Sequence, residues 1–245
     1  MKRIIIVGAS SGLGRLIAQL CANEGWKVGV AARNLTALNE LVEKYPNQME
    51  SMEIDITHDD APDRLRCLVD RIGGMDIYLH VSGILCENSG LNLTDEMRTV
   101  ETNVGGFTRM IATAYSWFKD KAIPGHIAAI TSVAGTKGIG DLASYSASKR
   151  YQWTYLEALE QLARKDGVKI CFTDIRPGWT KTPLINPNKK YMLAMEADTV
   201  ARKAFKALKK QKRVAYIDTR WGILSFLWRL LPSWIWTRLP VSASQ

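Results

Sequence analysis

The stretch that decides the fold is Ile4-Ile5-Ile6-Val7-Gly8-Ala9-Ser10-Ser11-Gly12-Leu13-Gly14. Its first four residues form a continuous β-branched run, which predicts a strand covered by helices on both faces. After the glycine-rich turn, apolar residues recur at helical spacing over 13–23. A strand, a glycine turn and a helix in this order direct backbone N–H groups and the positive end of a helix dipole towards a phosphate. The stretch therefore predicts a dinucleotide-binding turn.

Strand and helix patterns continue to alternate along the rest of the chain. Further strands are predicted at 27–32, 50–54, 75–81, 127–131 and 214–217, and helices at 35–44, 62–72, 94–118, 143–164 and 198–210. Repeated β-then-α units imply a parallel sheet with right-handed crossovers. At 245 residues the chain is long enough for one large core. We therefore predict an α/β fold, a Rossmann-like doubly wound parallel sheet with helices on both faces, in a single domain.

The composition is that of a globular protein, with 47% hydrophobic and 23% charged residues. The formal net charge of +9 suits an anionic partner, namely a nucleotide phosphate, a nucleic acid or an acidic membrane surface. Because the basic residues are mostly dispersed, and their one cluster at 202–213 fits a solvated helix face, no nucleic-acid partner is predicted. The four cysteines have neither CxxC nor metal-ligand spacing. They are interpreted as reduced thiols of a cytoplasmic protein, and no metal site is predicted.

Two residues at strand ends bear on the choice of a nucleotide. Arg33 follows the second strand, where a site that prefers NAD usually has an acidic residue. A guanidinium there can bond a 2′-phosphate, which favours NADP(H), with NAD(H) as the second choice. The alternative is a surface arginine that opens the next helix. Asp55 follows the third strand, where a side chain can reach an adenine, and the alternative is a loop or N-cap acid.

Four further positions suggest chemistry. Tyr145 and Lys149 are four residues apart on a predicted helix and so share a face, where the lysine charge favours the phenolate of a general acid or base. Ser132 either merely ends the fifth strand or stands at the edge where open α/β sheets place their chemistry. Asn103 lies beside two glycines within a predicted helix, which indicates a local irregularity near a site. Gly83 follows the fourth strand and would let the backbone pass close to a cofactor.

On these residues the chain resembles the short-chain dehydrogenase/reductase family, in its single-domain branch of about this length. The glycine spacing matches that branch, and the family's four catalytic positions are occupied by Asn103, Ser132, Tyr145 and Lys149. The resemblance implies hydride transfer between a nicotinamide and a carbonyl or alcohol carbon. It implies that Tyr145 supplies the proton, Ser132 steadies the developing oxyanion and Lys149 lowers the tyrosine pKa and holds the ribose. Asn103 would order a water that leads protons from bulk solvent.

The resemblance also implies the cofactor contacts. These are Gly8, Ser10, Ser11, Gly12, Leu13, Gly14, Arg33, Asp55, Ile56, Gly83, Tyr145, Lys149, Pro177, Gly178, Thr180 and Thr182. The segment 175–182 is similar to the one that holds the nicotinamide carboxamide. One departure is His80-Val81-Ser82-Gly83 in place of the usual Asn-Asn-Ala-Gly. His80 is interpreted as structural, with a role near the site as the alternative.

The segment after Thr182 is predicted to shape the substrate site. Within 183–195 several apolar side chains would form an adaptable lid, which favours a small hydrophobic carbonyl or alcohol substrate. Packing of these side chains on the core is the alternative. We assign a catalytic domain to 1–218, which includes the lid and a covering helix over 183–212, and a tail of the same domain to 219–245.

The tail 219–245 is rich in Trp and Arg and has no acidic residue. Arg229 and Pro232 interrupt its apolar stretch, so it is not predicted to span a membrane. Three interpretations stay open: the tail packs on its own domain or on a second subunit, residues 219–240 contact a membrane surface, or the tail walls the substrate pocket.

The resemblance implies a homo-dimer or homo-tetramer that pairs through helices 94–118 and 143–164. The predicted location is cytoplasmic, with membrane association through the tail as an open alternative. A rival function is an NADP-binding sensor or scaffold that uses the tail to recruit a membrane or a partner. The joint presence of Ser132, Tyr145 and Lys149 argues against it, because a sensor has no need of a proton donor, its tuning cation and an oxyanion donor together.

Overall fold

The computed structural model describes residues 1–243. Its strands are β1 Arg3–Val7, β2 Lys27–Ala32, β3 Met49–Glu53, β4 Ile77–His80, β5 Gly125–Ile130, β6 Ile170–Pro177, β7 Thr180–Lys181, β8 Met195–Glu196 and β9 Val214–Ile217. Seven of them form one parallel sheet in the order β3-β2-β1-β4-β5-β6-β9, and β7 pairs separately with β8. The parallel sheet confirms the predicted strand arrangement.

Helices cover both faces of this sheet. They are α1 Gly12–Asn23, α2 Leu35–Lys44, α3 Ala61–Arg71, α4 Leu93–Val100, α5 Phe107–Lys121, α6 Ala143–Lys165, α7 Ala197–Lys209, α8 Thr219–Leu230 and α9 Ser233–Trp236. Ile4 and Ile6 belong to the core beneath α1 and α7, whereas Ile5 and Val7 belong to the core beneath α3 and α5. The β-branched run therefore fills both layers, because successive side chains of a strand point to opposite faces. The doubly wound, single-domain fold is confirmed.

The centre of the sheet defines where a ligand can bind. Strand β1 pairs with β2 on one side and with β4 on the other, so that Ile4 lies between Val28 and Ile77. The order in which strands are added therefore reverses next to β1. In open α/β sheets, ligands bind at such a reversal, in the crevice outside the carboxyl ends of the strands.

The predicted helix 94–118 is interrupted in the structure. It consists of α4, a π-helical segment Glu101–Gly106 and α5. The predicted irregularity around Asn103 is thus confirmed and takes the form of a π turn, a feature that often marks functional sites. Gly106 allows this turn to approach the next layer, because a Cβ there would lie 2.6 Å from Cγ1 of Ile56.

Strand β6 was missed by the sequence analysis, and the predicted strand 75–81 is shorter than expected. The polar residues Asp174 and Arg176 interrupt the apolar pattern of β6. Both are buried, and Nε of Arg176 donates to Oδ2 of Asp174 at 2.6 Å. The guanidinium also lies 3.6 Å from the ring centroid of Trp153. An ion pair enclosed in this way satisfies its own charges, which a hydropathy pattern cannot reveal.

The tail docks on its own domain. Trp221 is buried, and its ring lies 6.3 Å from that of Trp228, which lies 5.4 Å from Trp236. Nε1 of Trp236 donates to the carbonyl of Gly138 at 2.6 Å, and Nζ of Lys137 donates to the carbonyl of Leu231 at 2.8 Å. Of the three interpretations, self-packing is therefore present. No helix within residues 1–243 is long and apolar enough to cross a membrane.

Candidate active site

A cavity of about 600 Å³ opens at the carboxyl ends of the central strands. Ser132 lines it, and so does every predicted cofactor residue except Gly14: Gly8, Ser10, Ser11, Gly12, Leu13, Arg33, Asp55, Ile56, Gly83, Tyr145, Lys149, Pro177, Gly178, Thr180 and Thr182. The structure thus brings the predicted catalytic hydroxyls and the predicted nucleotide contacts into one space. Of the four predicted catalytic residues, Asn103 alone does not line it.

The glycine turn has the shape that a phosphate requires. Gly8 has φ +96°, and a Cβ there would lie 2.5 Å from the amide nitrogen of Ser82. Gly14 serves packing instead, since a Cβ there would lie 2.0 Å from the carbonyl oxygen of Gly8. Ser11 caps α1 without a side-chain hydrogen bond, and the first turn has no acidic residue. The amides at the start of α1 therefore remain available to an anion, and this wall fits a dinucleotide pyrophosphate.

Arg33 and Asp55 lie at the far end of the cavity, after the neighbouring strands β2 and β3. Oδ1 of Asp55 accepts hydrogen bonds from the amide of Thr57 at 2.9 Å and from its hydroxyl at 2.7 Å. Burial raises the pKa of Asp55, but these bonds and the charge of Arg33 outweigh it, so the pKa lies below its usual value. Asp55 therefore both fixes its own loop, as the alternative interpretation held, and presents a carboxylate to the cavity.

The helix α6 places Tyr145 and Lys149 on one buried face. Nζ of Lys149 lies 5.6 Å from the centroid of the Tyr145 ring, and both residues line the cavity. Ser132 begins the 3₁₀ turn Val133–Thr136, where its Oγ accepts from the amide of Ala134 at 3.1 Å. Its hydroxyl lies near enough to the phenol of Tyr145 to influence the pKa of that group, and both residues line the cavity. A carbonyl oxygen placed between the two hydroxyls would meet two donors.

Burial affects the pKa values of both Tyr145 and Lys149. Burial raises the pKa of Tyr145 to about 12, and the hydrogen bond with Ser132 offsets only part of that rise. Burial lowers the pKa of Lys149 to about 8, against the opposing charge of Asp174. Burial thus shifts the two pKa values in opposite directions and favours the neutral form of each group. The role of Lys149 in lowering the pKa of Tyr145 stays a prediction.

Asn103 is fully buried and bridges the loop after β4. Its Oδ1 accepts from the amide of Ile84 at 2.8 Å, and its Nδ2 donates to the carbonyl of Ile84 at 2.8 Å and to Oγ of Ser148 at 3.2 Å. The side chain therefore fixes the backbone next to Gly83. Its carbonyl accepts a hydrogen bond from Nε2 of Gln152 at 2.9 Å.

His80 packs in the core behind the cavity. Its Nδ1 lies 2.9 Å from the hydroxyl of Tyr78, and its ring meets Phe107 edge-on at 5.0 Å. Burial lowers the pKa of His80 to about 3, so the ring is neutral at physiological pH. These contacts agree with the structural interpretation of this residue.

The apolar part of the cavity includes residues that the sequence analysis did not assign. Leu184, Ile185 and Met192 of the predicted lid line it. Lining residues that were not singled out include Leu85, Ile139, Trp179, Trp221, Trp228, Val241, Ser242 and Ala243. Trp221 and Trp228 are seven residues apart, and this helical spacing was the one available signal that they share a face. The tail therefore forms a wall of the cavity, which was the third interpretation.

Comparison with known proteins identifies the family. A family model described as short chain dehydrogenase matches residues 2–192. The chain is 32% identical over 193 residues to an uncharacterized oxidoreductase of Myxococcus xanthus, a match that covers 76% of this chain and 75% of that protein. The chain therefore belongs to the short-chain dehydrogenase family and has its NAD(P)-binding Rossmann fold and its oxidoreductase class.

Solved structures show the same fold at lower sequence identity. A 3-ketoacyl-(acyl-carrier-protein) reductase from Brucella melitensis, complexed with NADH, has a TM-score of 0.78 at 22% identity and covers 89% of this chain and 96% of its own. An actinorhodin polyketide ketoreductase variant with NADPH has a TM-score of 0.76 at 21% identity and covers 90% of this chain and 97% of its own.

Proposed function

We propose that the protein transfers hydride between NADP(H), with NAD(H) as second choice, and a small hydrophobic carbonyl or alcohol. The observation that carries the proposal is the position of Ser132, Tyr145 and Lys149 in the same cavity as the glycine turn. A sensor or scaffold would need the turn but not the three polar side chains.

The proposed roles rest on the family resemblance and are supported by the positions of the chain's own groups. When bound, the nicotinamide supplies or accepts the hydride. In reduction, the phenol of Tyr145 donates a proton to the carbonyl oxygen, because its raised pKa keeps it protonated at working pH. The hydroxyl of Ser132 donates a second hydrogen bond to the same oxygen as negative charge develops. Lys149 and the backbone beside Gly83 hold the ribose, and 177–182 holds the carboxamide.

Arg33 supports the preference for NADP(H). It lines the far end of the cavity, beside the loop of Asp55, where a 2′-phosphate would lie. The protein should bind NADPH more tightly than NADH in fluorescence titrations. Arg33→Ala should reduce that preference about tenfold, because a charge-assisted hydrogen bond is lost. Arg66→Ala removes a guanidinium that pairs with Asp63 on α3 and should change neither affinity.

Turnover tests the enzyme itself. With NADPH and a panel of hydrophobic ketones, Tyr145→Phe should lower kcat by about 10² to 10⁴-fold because the proton donor is removed. NADPH affinity should stay within about twofold. Tyr151→Phe is the matched control: it lies on α6, contacts Thr108 and does not line the cavity. Cofactor binding without turnover of any ketone or alcohol would favour the sensor or scaffold.

We propose further that the protein is cytoplasmic, forms a homo-dimer or homo-tetramer and contacts an anionic membrane surface through 219–240. Helix α8 is apolar on both sides, and its outer stripe of Ile223, Phe226, Leu227 and Leu230 is more than half exposed. A helix that is apolar all round is normally covered. Leu184 and Met192, which line the cavity, are exposed as well.

The charges of the tail favour lipid over a second copy as the cover. Arg229 and Arg238 make no ion pair within residues 1–243 and lie beside the rings of Trp153 and Trp234. A two-fold interface through this face would bring arginines together without an acidic partner, whereas lipid phosphates would pair with them. Vesicles with anionic lipid should sediment the protein and neutral vesicles should not. The double variant Phe226→Ser/Leu230→Ser should stay in the supernatant. Loss of self-association in that variant, without any vesicle binding by wild type, would identify a second copy instead.

A further inference from the structure

The buried side chain of Gln152 joins two parts of the candidate catalytic site. Its Oε1 accepts from Nζ of Lys149 at 3.1 Å, and its Nε2 donates to the carbonyl of Asn103 at 2.9 Å. Gln152 is only 1% exposed, so these bonds do not compete with bulk solvent. The chain of contacts runs from the π turn across to the ammonium on α6.

The orientation of the Gln152 amide is fixed by its neighbours. An ammonium can only donate and a backbone carbonyl can only accept, so the amide oxygen must face Lys149 and the nitrogen must face Asn103. Rotating the amide by 180° would place a donor against a donor and an acceptor against an acceptor. The remaining contact of Nζ is a longer bond of 3.4 Å to the carbonyl of Ile130. The bond to Gln152 is therefore the shorter of the two hydrogen bonds that orient the ammonium.

We infer that Gln152 is a positioning residue, which holds the ammonium of Lys149 towards the ribose and Tyr145 by tying it to the π turn. This inference deepens the proposed function and rests on it for the meaning of Lys149. The Asn103 carbonyl thus serves as a fixed anchor for the amide of Gln152, and the amide oxygen holds the ammonium in turn.

Three other groups influence this ammonium. Tyr145 faces it from α6, His80 lies behind it at the end of β4, and Asp174 acts on it from β6. Asp174 is engaged by Arg176, and His80 is neutral above its pKa of about 3. Burial raises the pKa of Asp174, so the titration of Lys149 is compared between wild type and variants that keep Asp174 and Arg176 unchanged.

Two substitutions of similar size should shift the pKa of Lys149 in opposite directions. Gln152→Met removes the acceptor and should lower that pKa, whereas Gln152→Glu adds a negative charge and should raise it, each by about one pH unit. Lys149 is read directly by NMR of labelled lysine, assigned with Lys149→Arg. The high-pH limb of kcat/KM for ketone reduction should move in the same two directions. Tyr151→Phe, the neighbour on α6, should leave both unchanged.

The outcomes separate this inference from the proposed function. Equal lysine pKa values in wild type, Gln152→Met and Gln152→Glu would overturn the positioning role, even if the enzyme turns over. Opposite shifts of the Lys149 pKa in the two variants, without any turnover, would support the positioning role of Gln152 and contradict the proposed reaction. If one variant does not fold, the other still gives a direction of shift to compare with wild type, and a shift opposite to that expected overturns the inference.

Discussion

Two walls of the cavity differ in how they are made. The cofactor wall consists of backbone turns at the ends of neighbouring strands, with Gly8 at its centre. The tail wall includes the large side chains of Trp221 and Trp228, which belong to a segment that folds back after the last strand. The cofactor wall is determined by the local sequence of a strand, a turn and a helix. The tail wall depends on packing between side chains that are distant in the sequence. Proteins that share this fold can therefore differ at the tail wall, and with it in the substrates that they accept.

The largest effect should come from filling the cofactor wall. Gly8→Ala places a Cβ 2.5 Å from the backbone of Ser82 at a φ of +96° that alanine does not favour. We expect the free energy of unfolding to fall by about 2–3 kcal/mol and NADPH binding to be lost. Thermal unfolding and fluorescence titration measure the two effects. Gly90→Ala, where a Cβ meets no neighbour within 4 Å, is the control. Normal NADPH affinity in Gly8→Ala would show that the turn does not hold the nucleotide.

An intermediate effect should come from His80, which is buried behind the cofactor wall and makes the stability depend on pH. The pKa of His80 is about 3 in the fold and about 6.5 in an unfolded chain, so stability is lost as pH falls below 6.5 because only the unfolded chain takes up the proton. His80→Asn should reduce the loss between pH 7 and pH 5 by about 2 kcal/mol, measured by denaturant unfolding.

His126 provides a comparison for that measurement. Its pKa is lowered to about 4 by burial, and its Nε2 lies 2.8 Å from Oγ1 of Thr173, away from the cavity. His126→Asn should reduce the loss of unfolding free energy between pH 7 and pH 5 by a similar amount. If the free energy of unfolding of His80→Asn falls between pH 7 and pH 5 as much as that of wild type, His80 is not held neutral in the folded protein.

The smallest effect should come from trimming the tail wall. Trp228→Ala removes a large part of the apolar lining without touching the glycine turn. We expect KM for bulky ketones to rise about fivefold while KM for the smallest ketones and NADPH affinity stay the same. Steady-state kinetics over a series of ketone sizes measures this. Trp117→Ala, a partly buried tryptophan of the opposite core, is the control. Equal changes for small and large ketones would mean that the tail supports the fold but does not select substrate.

The accuracy of the sequence-based prediction follows the same division. The bounds of β2, α2 and β9 agree with the predicted 27–32, 35–44 and 214–217. In each of them the apolar pattern is regular and stops where the element ends. The irregularity near Asn103 was predicted, but its π-helical form was not. Two glycines show where a helix is weakened, but they do not show which hydrogen-bond pattern replaces the α-helical one. Strand β6 was hidden by its buried Asp174–Arg176 pair.

The remaining misses lie in tertiary contacts. Helix α8 is apolar on two faces, so its pattern could not say which face docks. The bond between Gln152 and Asn103 joins residues 49 positions apart and has no local trace in the sequence. The site residues that could be predicted are those whose backbone or spacing is itself the functional feature.

The burial of Ala243 in the cavity has a practical consequence for anyone who labels the protein. Ala243 is buried and lines the cavity, whereas Met1 is 84% exposed and precedes β1 at the edge of the sheet opposite the carboxyl ends. A bulky label attached at position 243 would therefore sit at the cavity, and an inactive preparation could reflect the label alone. Labelling and surface immobilisation are better made beside Met1.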